Sequence, residues 1–242
     1  MLKALREVVK KLPGSASIFK LYRKAKFGIY YGLFKGKESL FTDYYRINNW
    51  GDPESGSGYG STVSYTEPLR TSLPDLFDKI GVQKVLDVPC GDMNWFKHIL
   101  KTASFEYIGA DIVQSLILEH QKNFTNDNIT FLHLDITKEP LPNADIWLCR
   151  DCLIHFSNKD IKRALTQFID SSITYLLTTS YTESTANTNI LTGEHRFLNL
   201  ELPPFNFPKP DLYIDDWIEG FEVKKLGLWR KETIVDRVKN LS

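Results

Sequence analysis

From Lys84 to Ser180 the chain alternates short apolar runs with helical segments, and that rhythm leaves few folds open. The runs Lys84–Val88, Tyr107–Ile112, Thr130–Leu134, Ala144–Cys149 and Ile173–Ser180 are rich in branched and aromatic residues and have strand length. Between them, Asn94–Leu100, Val113–Phe124 and Lys159–Asp170 read as helices. Repeated strand–helix–strand units require parallel strands joined by right-handed crossovers. The expected fold is α/β: a Rossmann-like, doubly wound, mostly parallel sheet of about seven strands.

Three of the runs lead into an acid: Asp87, Asp111 and Asp135. In a parallel sheet their carboxylates share the carboxyl edge, where such folds open their ligand crevice. Any one acid in that position serves ordinarily as a helix cap or turn residue. Three in register point to a ligand. Asp111 follows Asp87 by 24 residues and suits a ribose diol, whose two hydroxyls can both donate to it. Gly91, lacking a Cβ, lets a ligand approach the backbone. Pro89 removes a donor from the same turn, and no third glycine stands where Asp92-Met93-Asn94 runs. Both departures argue against a dinucleotide, whose pyrophosphate needs a glycine-lined helix start.

The residues Leu86-Asp87-Val88-Pro89-Cys90-Gly91, then Asp111 and Asp135-Ile136, resemble the class I S-adenosylmethionine (SAM)-dependent methyltransferases over roughly residues 66–180. The resemblance implies SAM as cofactor. Asp87, Pro89, Cys90 and Gly91 would then meet its methionine part, and Asp111 the ribose. Ile112 would pack on the adenine, Asp135 would accept a hydrogen bond from the adenine amino group, and Ile136 beside it would be a further cofactor contact. Arg150 would line the reactive end with Cys149 and Asp151, and Arg70 is a candidate for the cofactor's carboxylate. Asn48-Asn49-Trp50-Gly51, the Ser57–Ser61 run and Pro89-Cys90-Gly91-Asp92 further resemble methyltransferases encoded with bacterial capsule and surface-polysaccharide genes. A small-molecule or glycan-precursor acceptor is implied, with O-methylation. N-methylation, or a scaffold with a relict pocket, is the alternative. Nucleic acid is disfavoured, because Arg150-Asp151-Cys152-Leu153 stands where an Asp/Asn-Pro-Pro-aromatic signature would be expected.

A hydroxyl acceptor profits from a base that titrates near neutrality. His155 and His195 are the candidates, with Asp151 beside them; as structural residues the histidines would cap or bridge. Trp50, Tyr59 and Arg196 are candidate acceptor contacts. Trp50 and Tyr59 flank a stretch with four glycines and three serines in residues 51–61, which reads as a loop over the crevice or as a linker. Cys149-x-x-Cys152-x-x-His155 with Cys90 could in principle hold zinc, but the expectation is no metal.

The formal net charge is zero, yet residues 1–37 carry ten basic residues against Glu7 alone, a net +9. Leu2, Leu5, Val8, Val9 and Leu12 fall at helical spacing, and a basic-aromatic stretch follows from Ile18 to Phe34. Residues 1–65 are therefore expected as a basic helical appendage plus the Gly/Ser loop, with 1–37 a candidate contact for an anionic membrane. Residues 66–242 form the expected catalytic domain, starting with a helix over Thr66–Phe77. An insertion at about 181–215 covers substrate, with a short strand at His195–Leu200 and an edge strand at Phe221–Trp229. No run is long and apolar enough to span a bilayer, and charges interrupt any secretory signal. Three cysteines argue against a disulfide framework, and the expected location is the cytoplasm.

Overall fold

The computed structural model describes residues 21–22 and 24–241; the expected Leu2–Leu12 helix lies outside them. A π-helix, Lys24–Lys35, runs into helix α1, Gly36–Arg46, and helix α2 spans Glu67–Ile80. The α/β core follows: β1 Lys84–Asp87, α3 Phe96–Leu100, β2 Glu106–Asp111, α4 Gln114–Phe124, β3 Ile129–His133, β4 Ile146–Cys149, α5 Asn158–Asp170 and β5 Tyr175–Ser180. The chain closes with β6 Leu212–Asp215, β7 Lys225–Arg230 and α6 Lys231–Lys239.

The seven strands lie in the order β3-β2-β1-β4-β5-β7-β6. Strands β1 to β5 are parallel, and β7 runs antiparallel to both β5 and β6. The expected doubly wound, mostly parallel sheet is therefore the observed one. Its order reverses between β1 and β4, where Asp87 pairs in register with Leu148. A crevice opens at such a switch point.

Both faces of the sheet are covered. Val85 and Leu148 pack with Leu69, Leu73 and Phe96 on one side, whereas Leu86 and Trp147 pack with Phe168 and Ile234 on the other. Burying each large apolar side chain contributes about 1.5–3 kcal/mol, which explains why the central strands read as unbroken apolar runs. In α2, Leu69, Leu73 and Leu76 are buried at their helical spacing.

Three expectations change. His195–Leu200 is not a strand: Arg196 N–H donates to Ile154 O, and Leu198 O accepts from Tyr181 N–H, so this backbone is spent on loops. The strand expected at Phe221–Trp229 is β7, which begins at Lys225 and lies one strand in from the edge, covered by β6. Asp135 stands two residues beyond β3, whose last residue is His133.

Candidate active site

A cavity of about 320 Å³ opens at the carboxyl edge of β1, β2 and β4. Asp87, Pro89, Cys90, Gly91, Asp111, Ile112, Asp135, Ile136, Arg150, Asp151, His155 and His195 all line it, as do Trp50 and Tyr59. The sequence-predicted residues thus converge, with three exceptions, the first being Cys149, which ends β4 buried in the core and does not line the cavity. Arg70 is absent from the lining and donates to Val63 O at 2.9 Å. Arg196 also stands outside; its guanidinium donates to Asn158 Oδ1, Thr188 O and Phe156 O, tying the insertion to the start of α5. These neutral acceptors do not offset its burial, which lowers Arg196 to about 10.

The acids sit in different environments. Asp87 is buried and accepts a 2.7 Å hydrogen bond from Tyr107. Desolvation pushes its pKa up to about 7, despite Tyr107 and Arg150. Asp111 accepts from Gly91 N–H at 3.2 Å and Val113 N–H at 2.9 Å. Burial still raises it to about 6. Burial also works to raise Asp135, but bonds from Thr137 and Lys138 outweigh it and hold that carboxyl below its ordinary range. Two desolvated carboxyls near neutrality in one cavity suit a cationic ligand with hydroxyls, because it would relieve their desolvation.

The turn after β1 explains its missing glycine. Asp92 accepts from Ser55 Oγ at 2.8 Å, and Asn94 donates to Glu54 Oε1 and Ser61 O. These side chains latch the Gly/Ser stretch onto the turn, so it covers the cavity. Gly91 has φ +59°, and a Cβ there would lie 2.5 Å from Ser57 Oγ. Helix α1 supplies Phe41 and Tyr45 to the same wall.

The other end of the cavity is built from loops. Arg150 makes a two-pronged bond to buried Asp216 at 2.8 and 2.9 Å and donates to Gly60 O. Lys224 pairs with Asp151 and lies 3.2 Å from Asp216. Burial works to raise Asp151, yet Lys224 and Arg150 hold it well below the usual carboxylate range. It is therefore a poor base. His155 is half-buried, with Nδ1 2.9 Å from Glu194 O. A carbonyl only accepts, so Nδ1 carries the proton and Nε2 keeps its lone pair. Burial lowers His155 to about 4, below the near-neutral range expected for a base, so it is neutral at pH 7 and would take a proton only in concert with bond formation; burial lowers His195 as well. Their ring centroids are 5.4 Å apart. Among the described residues no three His, Cys, Asp or Glu side chains group to hold a metal ion, so the zinc alternative does not form.

Sequence reasoning missed Asp216 and Lys224, which enter from beyond the proline-rich stretch, and Tyr45 and Ser57, whose roles depend on tertiary folding.

Residues 85–171 match the family model described as a methyltransferase domain. No curated protein sequence matches the chain. Among solved structures, magnesium protoporphyrin IX methyltransferase (ChlM) from Synechocystis PCC 6803, with bound S-adenosylhomocysteine (SAH), aligns at TM-score 0.55 and 12% identity. That alignment covers 80% of this chain and 95% of the other. Burkholderia thailandensis 1,6-didemethyltoxoflavin-N1-methyltransferase aligns at 0.53 and 15% identity, over 80% and 86%. The mitomycin 7-O-methyltransferase MmcR aligns at 0.54 and 15%, over 77% of this chain and 60% of its own. Residues 85–171 thus match a methyltransferase domain, and the fold around them is the one these methyltransferases share.

Proposed function

We propose that the protein O-methylates an uncharged, sugar-type acceptor in the synthesis of a bacterial surface glycan, with His155 as the base. The observation that carries this reading is the fixed tautomer of His155 in the cavity wall, with Nδ1–H spent on Glu194 O. The cofactor, when bound, supplies a methyl group on a sulfonium that leaves as a neutral thioether. Asp87 and Gly91 would hold its methionine part, Asp111 its ribose, and Asp135 with Ile112 and Ile136 its adenine. His155 Nε2 accepts the acceptor's hydroxyl proton as the new O–C bond forms. Holding the hydroxyl in line is worth several kcal/mol by itself, roughly 7–11 at the limit.

Charge supports an uncharged acceptor. Among the described residues, the Lys and Arg side chains that line the cavity, Arg150 and Lys224, are both paired to carboxylates, so neither is held open for a phosphate or carboxylate. Aromatic faces support a sugar: Trp50, Tyr181 and the stacked pair Tyr59–Phe221, centroids 4.8 Å apart, line the same end. Two experiments test the reading. SAM and SAH should raise the melting temperature by mass action, roughly 2.7 kcal/mol at a hundredfold excess over Kd; no shift at millimolar ligand sinks the cofactor. Mass spectrometry of a panel of neutral and anionic sugars incubated with SAM should then show methyl addition to the neutral ones.

Residues 1–37 would hold the enzyme at an anionic membrane. Leu21, Tyr22, Ile29, Tyr30, Leu33 and Phe34 are exposed beside Lys24, Lys26 and Lys35, a combination that suits an acidic lipid surface. No described helix is long and apolar enough to cross a membrane. Flotation with anionic vesicles should fall on Leu33→Ser/Phe34→Ser substitution; unchanged flotation removes the idea.

A further inference from the structure

The peptide unit joining Gly91 to Asp92 is gripped at both ends. Its carbonyl oxygen lies 2.7 Å from His120 Nε2, and its N–H donates to Ser57 Oγ at 3.1 Å. The unit before it is held as well, with Gly91 N–H on Asp111 Oδ2. His120 reaches this point from α4, buried at 3% exposure, its ring packed near Phe124 and Phe131. Because a carbonyl only accepts, Nε2 carries the proton; Nδ1 is then a buried lone pair, and it has no partner. A leucine would fill that apolar site without leaving a polar atom unsatisfied. The histidine is explained by what its other nitrogen holds.

What it holds needs holding. Gly91 lines the cavity at φ +59° and has no Cβ to restrict it, so its following peptide plane is free to rotate unless tied. In this turn Pro89 contributes no N–H, and Asp92 and Asn94 are occupied by the covering loop. We infer that His120 is a positioning residue for the cofactor: with Ser57 it clamps the Gly91–Asp92 peptide from opposite ends. It acts only through that peptide. The inference rests on the reading of this cavity as the SAM site.

The clamp makes a coupling prediction. Releasing either end frees the same peptide, so the two losses overlap instead of multiplying. SAH affinity by calorimetry should fall about tenfold in His120→Leu and about fivefold in Ser57→Ala. The double variant should lose little more than His120→Leu alone. His120→Gln, which keeps a donor, should recover most of the affinity. In parallel, amide exchange at Asp92 should accelerate at least tenfold in His120→Leu, with amides of α5 unchanged, and slow again in His120→Gln. Exchange is read without ligand, so it tests the clamp even if the wild type binds no SAH, an outcome that would remove the SAM reading instead. Unchanged Asp92 exchange in His120→Leu overturns the inference. So do multiplicative losses in SAH affinity, or a loss that His120→Gln fails to restore.

Discussion

Tyr107 donates a 2.7 Å hydrogen bond to Asp87, and both residues are buried at the switch point of the sheet. The bond favours the ionised carboxylate, while burial raises its pKa to about 7. Cofactor affinity should therefore rise with pH through about 7, where Asp87 becomes able to offset a cation. Tyr107→Phe removes the favourable bond, moves the midpoint upward and weakens affinity at pH 7, by up to about tenfold for each pH unit that the midpoint moves. Calorimetry between pH 5.5 and 8.5, on the order of half a pH unit per step, reads both effects; an unmoved midpoint refutes the assignment.

The same raised acids carry a sign for stability. The native state holds protons on Asp87 and Asp111 that the unfolded chain has lost above its ordinary carboxylate range. These two groups therefore make the ligand-free protein less stable as pH climbs from about 4 to about 7. Asp151 is depressed and acts oppositely, but its contribution is lost only in stronger acid. His155 and His195, lowered by burial, act the opposite way over the same range, so the test is a comparison. Across pH 5–7 the stability of Asp87→Asn should climb more steeply with pH than that of the wild type in thermal unfolding, and identical slopes refute the raised Asp87.

For the base, His155→Ala should cut kcat on the true acceptor by roughly 10²-fold, and His195→Ala by less. With His155 lowered to about 4, it stays unprotonated through mildly acidic pH, so kcat should be flat from pH 6 to 8. An acid limb near the ordinary histidine pKa, abolished in His195→Ala, would transfer the role to His195.

Gly91→Ala sets a Cβ 2.5 Å from Ser57 Oγ and in a left-handed conformation. It should cost about 1–3 kcal/mol of stability. Adding Ser57→Ala leaves that Cβ 3.5 Å from the Ser57 Cβ and should recover part of the loss, as read by chemical denaturation.

Asp216→Ala leaves Arg150 and Lys224 buried with one carboxylate between them. The cost should be about 3–5 kcal/mol. Removing the exposed pair Lys84–Glu106 should change stability by about 0–1 kcal/mol. Equal effects at the two sites would show that the interior quartet is solvated.

How much of this could be read in advance follows from where each signal lives. The parallel half of the sheet was legible because β1, β4 and β5 are buried almost throughout and read as apolar runs. Strand β6 was not, because Leu212–Asp215 exists only through pairing with β7, and the Pro208–Pro210 segment before it masks the pattern. The alternation at His195–Leu200 was genuine but had no strand to pair with. Arg196 read as an acceptor contact because charge marks a residue and not its direction. Lys224 and Asp216 lie more than 60 residues from their partners Asp151 and Arg150, beyond any local spacing rule.

The antiparallel strand β7 has an outcome for how such an enzyme can change. Since β6 runs parallel to β5, its carboxyl end and the start of β7 meet at the cavity edge, and the loop between them carries Asp216, Phe221, Glu222 and Lys224. That loop is anchored on the far side of the sheet from β1–β3 and shares no strand with them. Insertions or swaps of sequence at residues 217–223, between the anchoring Asp216 and Lys224, can therefore reshape this wall of the cavity without altering the strands β1–β3. The fold thus hangs the two walls of one cavity on different parts of the sheet, so that one can be rebuilt without the other.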